Sequence, residues 1–190
     1  MCYQYIKKGL KVREQMKKFV WGLFVFSMIF VFSFGQSTVY DEYLKSLKYL
    51  GKLSANPFDS DSTSNKFGKY GSPLGNNINN PLSPYGSPFS PSGVRNSFSN
   101  SSKSPILIGE DGKYLGRINS NPFDPDSISN PFGRFGSKFS PDSVNNPFGK
   151  YGSPYSSYSA TNPYTSKAPS IYDPSPPYGL PTLPKRLDKK

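Results

Sequence analysis

Apolar residues are arranged along this chain in three different patterns, and each predicts a different kind of element. Residues 19–34 form an uncharged apolar run behind Lys17-Lys18, which predicts a signal or anchor helix. Tyr40, Leu44 and Leu47 then share one helical face, so the lead-in over 36–50 is expected to hold a short helix. Further on, Ile106-Leu107-Ile108 and Tyr114-Leu115-Gly116-Arg117-Ile118 flank Gly109-Glu110-Asp111-Gly112. Two short apolar segments around such a loop predict a β-hairpin over 105–118. Tyr49-Leu50-Gly51-Lys52-Leu53 is the counterpart of its second strand. Ser170-Ile171-Tyr172-Asp173 predicts a further strand, stopped by Pro174, Pro176 and Pro177.

The third pattern is a repeat. Asn130-Pro131-Phe132-Gly133-Arg134-Phe135-Gly136-Ser137 returns 16 residues later as Asn146-Pro147-Phe148-Gly149-Lys150-Tyr151-Gly152-Ser153, and begins again at Asn162-Pro163-Tyr164. A longer duplication encloses it. Residues 51–72 match 116–137 at an offset of 65, with 13 of 22 positions identical. After a one-residue gap, residues 79–90 match 145–156 at 8 of 12. The two copies span about 51–100 and 116–166, within a repeat domain at 51–173. Repetition at a fixed period makes each unit a small module that needs its neighbours for burial.

In each unit Asn favours side-chain-to-backbone turn bonds and Pro fixes φ at the next position. The aromatics recur at three- and four-residue intervals, as in Phe132, Phe135 and Phe139. Intervening Gly and Pro forbid a helix. The expected fold is therefore mainly β and irregular, mostly turn and coil with short hairpins, with aromatic rings supplying most of the burial. Residues 174–190 read as a Pro-rich, basic, disordered tail.

Composition sharpens the address. The three-part pattern before Gln36 is that of a secretory signal peptide, with Gly35 and Gln36 flanking the expected cleavage point. The alternative is a retained inner-membrane anchor, although 16 residues is short against the roughly 20 of a full span. Met16-Lys17-Lys18 opens a more ordinary signal than Met1 does, so translation is expected to begin at Met16. The mature protein is then periplasmic or extracellular.

The chain carries 23 Lys+Arg against 12 Asp+Glu. That excess is concentrated at the two ends: six bases and one acid precede Gln36, and Lys185, Arg186, Lys189 and Lys190 stand against Asp188. The repeats are nearly neutral, which disfavours nucleic acid as a partner.

Histidine is absent and Cys2 is the only cysteine. Histidine-based catalysis, thiol nucleophiles and the usual zinc sites are thereby excluded, and neither a catalytic residue nor a cofactor is expected. Asp-x-Asp in a loop can offer oxygen ligands to calcium, so Asp59, Asp61, Asp124 and Asp126 are weak metal candidates. No glutamate closes either loop, and Ile128 stands where the next ligand belongs. Turn formation is the favoured role. Aromatics interleaved with bases can stack on sugars or nucleobases. Tyr70, Phe135, Tyr151, Tyr155, Arg134 and Lys150 are the residues expected to face such a ligand.

Gly116–Ser137 and residues 151–164, followed by Ala168-Pro169-Ser170-Ile171-Tyr172-Asp173, resemble a group of small exported bacterial repeat proteins. Their pattern runs through a hairpin and Gly-x-Leu to Asn-x-Tyr-Asp-x-Asp-Ser and Tyr-Gly-x-Tyr-Gly-Ser. It also occurs as C-terminal extensions, some on secreted nuclease domains, which this chain lacks. The resemblance covers about 51–173 and implies export and a repeat fold. It carries over no catalytic residue.

The expected function is thus a non-enzymatic exported protein with a structural or interaction role. Its partner would be a cell-envelope polymer or another exported protein. The alternative is a membrane-tethered binder of polyanions or carbohydrate, with the membrane reached only through residues 19–34.

Overall fold

The computed structural model describes residues 43–99 and 102–175. It divides into a unit ending at Ser46 and a second beginning at Leu47. Of the first, only a helical turn at 43–46 is described, where Ser46 Oγ donates to the Tyr43 carbonyl at 2.6 Å. The lead-in helix thus ends earlier than expected, and strand structure begins at Lys48. The apolar run at 19–34, the cleavage point at Gly35 and Gln36, and the tail beyond Ser175 lie outside the described residues.

The second unit is mostly turn and coil built on a small antiparallel sheet. Its strands are β1 (Lys48–Lys52), β2 (Ile106–Ile108), β3 (Tyr114–Arg117) and β4 (Ser170–Asp173), in the spatial order β1-β4-β2-β3. β2 and β3 form the hairpin expected over 105–118; the Gly109 N–H donates to the Lys113 carbonyl at 2.7 Å, and Gly112 takes φ +76° in the turn.

The sheet has an internal two-fold relation. β2 meets β4 in the centre with Leu107 opposite Ile171. β1 and β3, corresponding strands of the two copies, lie outside. Each of them pairs with the closing strand of the other copy: β3 with β2, β1 with β4. Each also carries one extra residue at the same place, between Tyr49 and Lys52 and opposite Leu107. Gly51 and Gly116 occupy these bulges at φ +100° and +98°, where a side chain would be strained.

The outer strands do not present bare edges. The Lys52 N–H donates to the Asp61 carbonyl at 2.7 Å and the Thr63 N–H returns to the Lys52 carbonyl at 3.0 Å. Arg117, Asp126 and Ile128 repeat the arrangement at 2.8 and 3.0 Å. The coil of each copy therefore covers its own first strand and blocks edge-to-edge pairing.

That coil is a chain of three-residue turns. Except where it is glycine, the first residue of a triplet accepts the N–H two positions on through its side-chain oxygen, as Asn130 does from Phe132 at 3.0 Å, Ser127 from Ser129 at 2.9 Å and Asp124 from Asp126 at 3.0 Å. Its backbone carbonyl accepts the N–H three positions on, as Ser127 does from Asn130 at 3.2 Å. The middle residue's N–H has no part in either bond, which is why Pro fits there so often. Five triplets plus one added glycine, Gly136 or Gly152, make the 16-residue unit.

Asn leads the Pro-Phe triplets because it can donate as well as accept. The Asn146 amide donates to the Ser140 carbonyl at 3.0 Å, and Asn130 and Asn162 do the same six residues back.

One core serves both copies. Leu50, Ile78 and Tyr85 from the first meet Leu107, Leu115, Val144, Tyr151 and Ile171. It is chiefly aliphatic, and its margin is lined by buried serine hydroxyls; Ser127 Oγ donates to the Asn119 carbonyl at 3.1 Å. The expectation that aromatic rings supply most of the burial is corrected here. Most rings of the repeat lie outside.

Candidate interaction surfaces

Each coil makes two loops that close on a common column. The Asn145 amide donates to the carbonyls of Ile128 (2.7 Å) and Gly136 (3.1 Å), and so ties the bases of the loops 128–136 and 136–145 together. Asn79 and Arg95 do the same work at other levels, and Thr161 Oγ1 donates to the Gly152 carbonyl alone, at 2.7 Å. At the tip of every loop stands an apolar residue, usually behind an exposed proline. They fall into four series about one coil apart: Phe58, Leu74, Phe89; Phe67, Leu82, Phe98; Phe123, Phe139, Tyr155; and Phe132, Phe148, Tyr164. All twelve are between 89% and 101% exposed.

A side chain so exposed has no neighbour covering it, so these rings do not pack on one another. Each leaves roughly 1.5–3 kcal/mol of available burial unrealised. Isolated exposed apolar residues are ordinary, but a regular display on this scale marks a contact surface.

The residues expected to face a ligand are divided by the fold. Tyr155 is one of the tips. Tyr70 is half-buried and meets Tyr49 edge-on at 5.2 Å. Phe135 and Tyr151 are corrected to interior positions, only 3% and 2% exposed. They lie at loop bases just before the added glycines, where the chain re-enters the column. Phe135 packs edge-on against Tyr114 at 5.2 Å. The Tyr151 hydroxyl donates to Asp111 at 2.7 Å.

Arg134 and Lys150 are exposed but have acidic partners. Arg134 Nε donates to Asp142 and Lys150 Nζ to Asp111, both at 2.6 Å, and Lys150 also lies over the Tyr158 ring at 4.2 Å. Burial pushes the carboxyls of Asp111 and Asp142 up, but their Lys, Arg and Tyr donors outweigh it and hold both below the ordinary carboxylate range. Burial, then the hydrogen bond from each phenol to its aspartate, pushes Tyr151 and Tyr85 well above the ordinary tyrosine range.

The Asp-x-Asp pairs act as turn formers. Asp59 accepts the Asp61 N–H at 2.9 Å and meets Lys52 Nζ at 3.4 Å. Asp124 is buried and accepts from the Asn119 amide at 2.8 Å. Among the described residues no three of His, Cys, Asp and Glu gather in a metal-binding group, and no helix is long and apolar enough to cross a membrane.

The three-residue frame was missed by sequence reasoning, and of the outward tips only Tyr155 was anticipated as ligand-facing. A signal for the frame existed: Asn121, Asp124, Ser127 and Asn130 stand three apart, as do Ser137, Ser140, Ser143 and Asn146. No protein-family model, no curated protein and no solved structure matches this chain.

Proposed function

We propose that this chain is a non-enzymatic exported repeat protein that works through its surface, binding a cell-envelope polymer or another exported protein. The observation that carries the reading is the set of twelve exposed loop-tip side chains. The fold spends Asn, Ser and Pro on rigid turns and places apolar groups at their ends, which lowers the ordering cost of binding. The absence of histidine and the apolar run behind Lys17-Lys18 support the non-enzymatic and exported parts of the reading.

The test is co-sedimentation of the exported chain with purified cell-wall polymer, beside a variant with Phe132, Phe148 and Tyr164 changed to Ser. Retention of the native chain and a loss of about a hundredfold or more in the variant is expected, since the three lost contacts remove about 1–2 kcal/mol each. Equal sedimentation of the two would overturn a role for the tips. N-terminal sequencing of the exported product is expected to begin at Gln36.

The alternative, a membrane-tethered binder of polyanions or carbohydrate, draws support from Tyr155 and Tyr164, which offer hydroxylated rings at exposed tips. It requires salt-dependent retention on heparin or DNA.

A further inference from the structure

The two copies correspond strand for strand and turn for turn, so each position of one serves as a control for the other. Among the places where they differ in charge, one falls on a buried ion-pair network. In the second copy Ser140-Pro141-Asp142 completes a coil, and the buried Asp142 carboxylate accepts from both Lys113 Nζ and Arg134 Nε. The corresponding bases of the first copy, 65 residues earlier, are Lys48 and Lys69. The corresponding triplet, however, is shortened to Gly75-Asn76. The shortening is visible in the turn bonds: the Asn80 amide reaches back five residues to the Gly75 carbonyl, where Asn146 reaches back six to Ser140.

Losing that residue removes the carboxylate and opens a space. A cleft of about 690 Å³ stands there, with Lys48 and Lys69, Tyr49 and Tyr70, and Gly75-Asn76 among its lining. Among the described residues neither lysine forms an ion pair. Lys48 Nζ lies over the Tyr85 ring at 4.8 Å and Lys69 Nζ over the Tyr70 ring at 5.1 Å. Two acids stand nearby, each held by a phenol: Asp61 accepts from the Tyr49 hydroxyl at 3.5 Å, and Asp173, opposite Lys48 in the sheet, accepts from the Tyr85 hydroxyl at 2.7 Å.

We propose that this cleft is a receptor for a carboxylate-bearing ligand, whose carboxylate takes between Lys48 and Lys69 the place that Asp142 holds between Lys113 and Arg134. Two cations facing one vacated acid position form charge-assisted hydrogen bonds with a single carboxylate. The Asn76 amide adds a neutral donor, and Tyr49 and Tyr70 supply aromatic walls for the body of the ligand. Since the occupant of the second copy is a peptide aspartate, an acidic side chain of a peptide and a free small carboxylate are the two sources of this chemistry. Phe67 and Leu74, two of the loop tips, also line this cleft, but the surface reading is tested at Phe132, Phe148 and Tyr164 on the second copy, so failure of this site would leave it standing.

The experiment is an NMR titration of the full chain with three probes: acetate, a peptide of the sequence Ser-Pro-Asp-Ser-Val-Asn, and the same peptide with Asn in place of Asp. One equivalent of the acidic peptide is expected to shift Lys48, Lys69 and Tyr70, and the Asn peptide is expected to leave them unmoved. Lys48→Gln or Lys69→Gln should each weaken binding about tenfold or more. A variant in which Gly75-Asn76 is replaced by Ser-Pro-Asp fills the cleft from within, so it should bind nothing and melt higher. Acetate binding as tightly as the acidic peptide assigns the site to small carboxylates, and preference for the peptide assigns it to a peptide-borne acid. No shift with either acid, undiminished binding in the filled variant, or inorganic phosphate displacing both acids at equal concentration would each overturn the proposal.

Discussion

Gly116 shows how little freedom a single position retains in this fold. Its φ of +98° already disfavours any side chain, and a Cβ there would stand 2.6 Å from the Phe135 Cβ and 2.7 Å from the Asp126 carbonyl oxygen. Gly112, in the hairpin turn, also has a positive φ of +76° but faces open space. The pair separates two costs. Gly112→Ala should lose about 1–2 kcal/mol, the penalty of a left-handed residue alone. Gly116→Ala adds a collision with backbone and a ring base, worth roughly 1–3 kcal/mol more, and should melt well below it. Equal melting of the two variants would show that the bulge yields freely and does not hold Phe135 against Tyr114.

At the scale of the element, stability rests on the triplet, whose currency is the side-chain oxygen at its first position. Asn146 serves twice, accepting the Phe148 N–H at 3.0 Å and donating to the Ser140 carbonyl at 3.0 Å. Asn146→Ser keeps an uncharged acceptor, as Ser127 and Ser143 offer in their own triplets, and loses the donor to Ser140, whereas Asn146→Ala loses both in a largely buried place. Denaturant unfolding should therefore rank native, then Ser, then Ala, with about 1–3 kcal/mol between native and Ala; a Ser variant no better than Ala would refute the shared turn bond.

The same logic explains what the sequence did and did not reveal. The hairpin at 105–118 and the strand at 170–173 were legible because aliphatic side chains sit beside unambiguous turn residues. The 16-residue period was legible because the same letters return. The triplet was not, because Asn, Asp, Ser and Thr do one job under four names and Gly133 and Gly149 hold the position with no side chain. The direction of the rings was hidden for a related reason. Phe132 and Phe135 are both third residues of triplets, yet one stands at a loop tip and the other at a loop base. Composition cannot distinguish tip from base; only the contacts of Asn145, from Ile128 and Gly136, do so. The cleft at Lys48 and Lys69 was hidden more deeply still, since the one-residue gap between the copies carried no chemical meaning until Asp142 was seen to bridge its two cations.

On the scale of the whole molecule, the two copies close on each other. The end of the first meets the start of the second, where Ser120 Oγ donates to the Val94 carbonyl at 2.9 Å and the Asn121 amide to that of Ser99 at 3.2 Å. The end of the second returns to the start of the first by the same kind of bond: the Ala55 N–H donates to the Ala160 carbonyl at 2.8 Å and the Asn56 amide to that of Thr165 at 3.3 Å. With β1 paired to β4, nothing distinguishes the covalent junction at 109–112 from the noncovalent one except the chain itself. Lys48 lies opposite Asp173, so a short turn can join them as Gly109-Glu110-Asp111-Gly112 joins β2 to β3. A circular permutant of residues 47–175, joined through such a turn and opened between Gly109 and Glu110, should fold with the same sheet. Leaving Asp111 attached to β3 preserves its bonds from Lys150 and Tyr151. The permutant should show one cooperative unfolding transition and amide shifts that differ from the parent only near the two junctions. A permutant that loses the shifts of both copies would mean that the order of the strands along the chain, and not the two-fold closure, specifies the sheet.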